Sequence, residues 1–246
     1  MKDELLNLKT YYHTLLEKDV KDINYGIETF FLQWGELYGK TDKPKVLFIG
    51  KAMNGWVSGN VRSVDDLFNE KNGYCIFNRG DQLEWVENLA GAKSGYNTRK
   101  SQFWSLIREF SKELFKENDW YKYVAWTNLY KISPEEWNPD SELKDLQLKT
   151  CTELLKREIE ILKPSHVIFL TSDWERNFLK SLGISDIEWK YEPWDPDPNK
   201  CPYKSRYAIS NGVTYIRSLH PQGKKIGMHS DALLNIVDPI PKAEGS

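Results

Sequence analysis

Hydrophobic and polar positions along the chain alternate in a way that predicts interleaved helices and strands. Over residues 4–17 (Leu5, Leu8, Tyr12, Leu15, Leu16) and 27–38 (Ile27, Phe30, Phe31, Trp34, Leu37) apolar residues recur at helical spacing, which predicts two amphipathic helices ahead of the first strand. The run "KVLFIG" then stops at Gly50 and gives way to "KAMNGW". A short continuous apolar run fits a strand covered on both faces, and in open α/β sheets ligands sit just beyond the carboxyl ends of such strands. Gly50 to Trp56 is therefore the first place to look for a site. The region up to Thr98 is rich in Gly, Asn and Ser and too long for one structureless connection, so it is expected to hold functional loops and a short helix near Asp65 to Phe68.

Beyond it, "SQFWSLIREFSKELF" has helical spacing, and "YKYVAWTNLYKI", rich in aromatic and β-branched residues, reads as a second strand that Pro134 and "EEWNPD" bring to an end. Residues 141–162 form a third long helix, with Leu143, Leu146, Cys151, Leu154, Leu155, Ile159 and Leu162 on one side and Glu153 paired with Arg157 on the other. Lys163-Pro164 stops it, because a residue before proline disfavours the α region. "HVIFL" is a buried strand, "SDWE" reads as a capping box opening a helix to about Leu182, and "YEPWDPDPNKCPY" reads as a loop. "RYAI" and "VTYIRSL" flank Asn211-Gly212 as a hairpin, and "HPQGKKIG" leads to a last helix, "MHSDALLNIV". This order predicts an α/β fold: a three-layer α/β/α sandwich around a central, mostly parallel sheet. A single domain is expected over 1–240, with an N-terminal helical extension (1–43) and a tail at 241–246.

Composition narrows the partners. Lys plus Arg (34) nearly balances Asp plus Glu (36), a net charge of -2, so any basic face must be local. Cys75, Cys151 and Cys201 are odd in number and far apart, which argues against a disulfide framework and against a C-x-x-C metal site. The first residues lack an apolar signal core and no uncharged run is long enough to span a bilayer, so a soluble, cytoplasmic protein with no membrane partner is expected. Ten Trp and thirteen Tyr are many for this length; most are expected to fill the core, and some could serve as a stacking supply for bases.

Three strand ends carry polar groups: Gly50 to Asn54 after "VLFI", Asn128 inside "AWTNLYK", and His220 after "YIRSL". Taken singly, Asn54-Gly55 reads as a turn pair, Asn128 as a loop cap and His220 as a structural histidine; in a parallel sheet the three ends can converge in one crevice. In this order "VLFIGKAMNG", "SQFW", "TNLYKISP", "CTELLKREIEILKPSHVIFL" and "SLHPQGKKIG" resemble the motifs of the uracil-DNA glycosylase superfamily, from about Lys45 to Leu234. "NLYKISP" with the "CTELLKREIE" helix is similar to the iron-sulfur-bearing bacterial branch, where the segments run N-x-x-K-x-x-P and C-x-x-x-L-x-x-E-I. "SQFW" is similar to the mismatch-specific branch.

The resemblance implies a uracil-DNA glycosylase-like sandwich and hydrolysis of the N-glycosidic bond of a base flipped out of DNA. A departing pyrimidine gathers negative charge, which a neutral imidazole donating to the base oxygen stabilises; His220 takes that role. Asn128 matches the pyrimidine-reading amide, which offers a donor and an acceptor at once. Gly50 and Lys51 line the base pocket, and among Trp56, Tyr74 and Phe77 the stacking aromatic is taken as Phe77. Asn54 is the available residue to position the attacking water, and Lys224 and Lys225 would touch phosphates.

The chain also departs from the pattern. Lys51 stands where the iron-sulfur branch has Glu, "AMNG" replaces Pro-Gly, and His-Pro-Gln replaces His-Pro-Ser. Only Cys151 matches a cluster cysteine, so no iron-sulfur cluster, metal or other cofactor is expected. Asp65, Asp66 and Asp81 could supply a base from another direction. A second reading follows from Lys51, which suits a phosphate or bound anion: a catalytically inactive superfamily member that binds a nucleobase, nucleotide or single-stranded nucleic acid. An unrelated α/β hydrolase or transferase is the third, disfavoured because no G-x-S-x-G, P-loop or G-x-G-x-x-G occurs.

Overall fold

A computed structural model of the chain describes residues 2–53, 63–68 and 82–239. Along the chain come α1 (Lys2–Leu6), α2 (Lys9–Thr14), a π-helical turn (Leu15–Asp19), β1 (Ile27–Thr29), β2 (Gln33–Trp34), β3 (Val46–Gly50), α3 (Val64–Phe68), α4 (Trp85–Asn88) and α5 (Gln102–Phe115). A 3-10 turn (Trp120–Tyr123) leads to β4 (Val124–Asn128), β5 (Ile132–Pro134), α6 (Ser141–Leu162), β6 (His166–Leu170), α7 (Arg176–Ser181), β7 (Lys190–Pro193), β8 (Lys204–Ser210), β9 (Val213–Ser218) and α8 (Ile226–Val237).

Among the described residues one sheet has seven strands in the order β2-β4-β3-β6-β9-β8-β7, and β1 pairs with β5 apart from it. The four middle strands β4, β3, β6 and β9 run parallel. β2, β8 and β7 join antiparallel at the margins, so the sheet is mixed rather than mostly parallel. Side chains alternate between its faces. Leu47, Ile49, Val167, Phe169 and Tyr215 pack with residues of α1, α2, α6 and α7. Val46, Phe48, Ile168, Leu170 and Ile216 pack on the other face, with residues of α5 and α8. Helices thus cover both faces, and the carboxyl ends of the parallel strands lie together at one edge of this double core.

Several boundaries follow from local chemistry. The Ser101 side chain accepts from the Trp104 N–H at the start of α5, and the Asp140 carboxylate accepts from the Leu143 N–H (2.8 Å) at the start of α6. α6 ends where Lys163, before Pro164, turns left-handed (φ 47°). The β8–β9 hairpin turns on Asn211 (φ 51°) and Gly212 (φ 76°), both with the positive φ that a type I′ turn requires.

Elsewhere the structure corrects the sequence reading. Residues 27–38 are not a helix: they hold β1 and β2, paired antiparallel with β5 and β4. Glu28, Thr29 and Gln33 are buried along with the apolar residues around them, so the segment has no solvent face on which an amphipathic helix depends. The N-terminal segment is therefore not a helical extension, since β2 belongs to the main sheet. The first predicted helix is split into α1, α2 and the π turn. "YKYVAWTNLYKI" is the 3-10 turn, β4 and the separate β5, broken where the Leu129 and Tyr130 N–H groups donate to the carbonyls of Gly50 (2.9 Å) and Lys51 (3.1 Å). No capping box forms at "SDWE", because Ser172 (φ 51°) and Asp173 (φ 72°) turn left-handed and α7 starts only at Arg176. Arg157 pairs with Glu160 and Tyr11 rather than with Glu153, and the "YEPW" loop contributes β7. Residues 241–246 lie outside the described residues.

Gly35 follows β2 and donates its N–H to the Val124 carbonyl (2.9 Å), and a Cβ there would lie 2.3 Å from backbone atoms of Tyr121 and Lys122. Backbone cannot yield as a flexible side chain can. Gly35→Ala is therefore expected to lower the unfolding free energy by about 1–3 kcal/mol in urea titration, and an unchanged midpoint would contradict the close approach.

Candidate functional site

The parallel register of β3 and β4 sets Gly50 beside Asn128 at the carboxyl end of the sheet. A Cβ on Gly50 would lie 2.4 Å from the Asn128 Oδ1 and 3.4 Å from the edge of the Phe103 ring. Close approach, not backbone conformation, is what requires glycine here. Asn128 is 1% exposed, and neither its Oδ1 nor its Nδ2 has a hydrogen-bond partner among the described residues. Leaving a buried polar group unpaired costs about 1–3 kcal/mol, so a carboxamide held this way is a candidate to pair with something that arrives from outside.

His220 lies just after β9, and two neighbours fix it. Its backbone N–H donates to the Ser172 Oγ (2.7 Å), which the left-handed Ser172-Asp173 pair brings across from the end of β6. The Gln222 N–H donates to its Nδ1 (3.3 Å), so the neutral ring carries its proton on Nε2. The imidazole lies nearly parallel to the Phe103 ring (18°), with centroids 6.2 Å apart. Phe103, on the first turn of α5, thus lies between the Gly50–Asn128 pair and the histidine. Burial first, then the ammonium groups of Lys51 and Lys224, pulls the His220 pKa down to about 4. At neutral pH the ring is an uncharged N–H donor. The following loop is tied to α5, since the Gly223 N–H donates to the Gln102 side-chain oxygen.

Positive charge flanks the pair. Lys51 is half-buried, with its Nζ 5.0 Å from the centre of the Trp174 ring, and burial lowers its pKa against the pull of Glu175. Lys144 approaches the same ring at 4.6 Å. Lys224 sits over Tyr203 (4.8 Å), and Lys225 is exposed at the N-terminus of α8.

Of the residues singled out in the sequence, Gly50, Lys51, Asn128, His220 and Lys224 gather at this end of the sheet, with Lys225 next along the loop. Asn54 and Phe77, with Trp56, Tyr74, Cys75 and Asp81, lie outside the described residues, as does the Asp66 side chain. Asp65 is exposed on α3 and paired with Lys9 (3.1 Å). Cys151 is buried, donates to the Gln147 Oε1 (3.3 Å), and has its thiol pushed up to about 12 by burial, which disfavours the thiolate a metal needs. Among the described residues no group of three or more His, Cys, Asp or Glu side chains is placed to hold a metal ion. No helix among them is long and apolar enough to cross a membrane.

Sequence reasoning missed Phe103 and Ser172. Helical spacing places Phe103 on the apolar stripe of α5, and as the first residue of that stripe it falls at the carboxyl end of the sheet. Ser172 was read as a helix cap, and only its left-handed backbone turns the hydroxyl to His220. No protein-family model matches the chain, and no curated protein matches its sequence.

Together the groups offer a flat aromatic wall, a carboxamide with free donor and acceptor, a neutral N–H donor and a nearby ammonium. That set can hold a planar heterocycle by its polar edge and stabilise negative charge growing on one of its oxygens. The folded His220 pKa lies below the ordinary 6.5, so the unfolded chain binds the extra proton between those values. Its contribution to stability is present above about pH 6.5 and lost as the pH falls toward about 4. The His220 ring-proton resonance is expected to titrate with a midpoint near 4, whereas a midpoint near 6.5 would contradict the buried, cation-flanked setting.

Proposed function

We propose that the chain is a uracil-DNA glycosylase-like protein that hydrolyses the N-glycosidic bond of uracil or a related damaged base flipped out of DNA. The observation that carries this reading is the buried, unpartnered Asn128 carboxamide, joined across Phe103 to the neutral His220 donor. The order of the sequence motifs supports it, as does the position of Gly50, Asn128 and His220 at the carboxyl ends of parallel strands.

In this reading Asn128 reads the hydrogen-bonding edge of the flipped base, with Gly50 leaving room for its amide. As the bond between the sugar carbon and the base nitrogen breaks, its electron pair goes to the base, and the His220 Nε2–H donates to the base oxygen on which charge gathers. Water then adds to the sugar carbon of the oxocarbenium-like species and releases a proton to solvent, from which the departing base anion takes one up; Asn54 positions that water. Phe103, with Phe77 or another aromatic of the first loop, flanks the base, while Lys224 and Lys225 meet the DNA backbone. A second reading has its own observation. Lys51, half-buried beside Trp174 where the related branch carries a carboxylate, favours an inactive relative that holds a nucleobase, nucleotide or single strand by an anionic group.

Single-turnover excision from oligonucleotides carrying one uracil, single-stranded and opposite guanine, separates the two. The glycosylase reading expects cleavage that falls about a hundredfold or more in His220→Ala. Uracil-dependent binding without cleavage, lost in Asn128→Ala, would transfer the site to the binding reading. Gly50→Ala is expected to weaken both binding and excision by pushing on the amide, and full retention of both would remove Asn128 from base reading.

A further inference from the structure

Behind Asn128 lies an ion pair with no exposure at all: the Lys131 Nζ and the Glu158 Oε2 are 2.8 Å apart, and both side chains are 0% exposed. An ammonium has three donors, and Lys131 spends the other two on the Thr127 Oγ1 (2.6 Å) and on the main-chain carbonyl of Asn128 (2.8 Å). The Thr127 hydroxyl donates to the same Glu158 oxygen (2.8 Å), closing a ring around the last two residues of β4. Lys131 is itself held in place, since its N–H donates to the Gln147 Oε1 (3.1 Å) and its carbonyl accepts from the Phe30 N–H (2.7 Å).

Stability gives this arrangement little reason to exist. Taking two charges out of water costs about as much as their attraction returns, and apolar or neutral replacements of similar volume are often as stable. The Glu158 Oε1 even lacks a partner among the described residues. What the pair does supply is direction. It clamps the carbonyl at the turn that ends β4 and leaves both polar atoms of the Asn128 carboxamide uncommitted.

We infer that Lys131 and Glu158 are positioning residues for Asn128, fixing the backbone from which its carboxamide meets a ligand; this rests on reading Asn128 as the ligand-contacting group. The single variant Lys131→Met would strand a buried carboxylate and risk unfolding, so the test uses Lys131→Met with Glu158→Gln, which removes both charges at nearly constant volume. The probe is a single-stranded oligonucleotide with one uracil. The double variant is expected to stay folded, its urea midpoint lowered by no more than the loss of one buried carbonyl's partner, while its dissociation constant rises about tenfold or more with unchanged salt dependence, and to cost nothing further in an Asn128→Ala background. A folded double variant that binds as the parent does, or that loses the same factor again on top of Asn128→Ala, would overturn the inference.

If the parent itself does not bind the probe, the reading of the site fails and the positioning claim is decided on Asn128 directly. Its side-chain NH₂ resonances, identified by their loss in Asn128→Asp, should move and average in the double variant; resonances identical to the parent's would overturn it.

Discussion

Parallel pairing of β3 with β4 ends on a glycine facing an asparagine, and the rest of the site is arranged around that contact. The missing side chain at Gly50 is what lets a carboxamide be both buried and unpaired: one more carbon would push the amide away or fill the space it faces. The main chain on either side of the amide is satisfied. The next two N–H groups of the chain donate to the carbonyls of Gly50 and Lys51, and the Asn128 carbonyl is held by Lys131. At Asn128 both the donor and the acceptor of one side chain are left over. A protein that stabilises itself by pairing its buried polar groups gains nothing from that, whereas a protein that must recognise one gains selectivity.

The electrostatics of the neighbouring imidazole fit the same purpose. Burial, Lys51 and Lys224 all disfavour its charged form, and the acids near this end of the sheet are engaged elsewhere: Glu175 accepts from Thr171 and Arg217, and Asp173 accepts from Arg217. A positively biased setting with an uncharged donor holds back its proton yet stabilises negative charge, which a heterocyclic anion as leaving group would require. The same bias would suit a phosphate. For that reason the binding reading and the hydrolytic reading share most of one site.

Much of this was legible in the residues. Apolar runs that stop at Gly50, Asn128 and the Ser218–His220 turn mark strand ends directly, because a buried strand leaves the core there. The Asn211-Gly212 turn and Lys163-Pro164 are local chemistry and hold in three dimensions, whereas the capping box expected at "SDWE" does not form. Residues 27–38 misled because periodicity signals a helix only when one face is wet, and this segment is buried on all sides. The left-handed pair at Ser172 is set by what it reaches across to, which no local pattern contains. Gln147 and Glu158 did leave a trace: two polar residues on the buried stripe of α6, among Cys151, Leu154 and Leu155, ask for a buried polar partner.

The order of strands in the sheet has a consequence for how this crevice comes into being. β3 is the hub, yet both its neighbours are distant in sequence: it pairs with β4 and β6, and the Lys45 N–H that steers it beside β6 donates to a side chain 120 residues further on. Contacts of such range are gained only after long loops have closed, which slows their formation. The asparagine and the histidine therefore meet only once β9 has joined β6, near the end of the chain. During synthesis on a ribosome the nascent protein would possess Asn128 well before His220, so any activity that needs both would report a finished fold rather than a local motif.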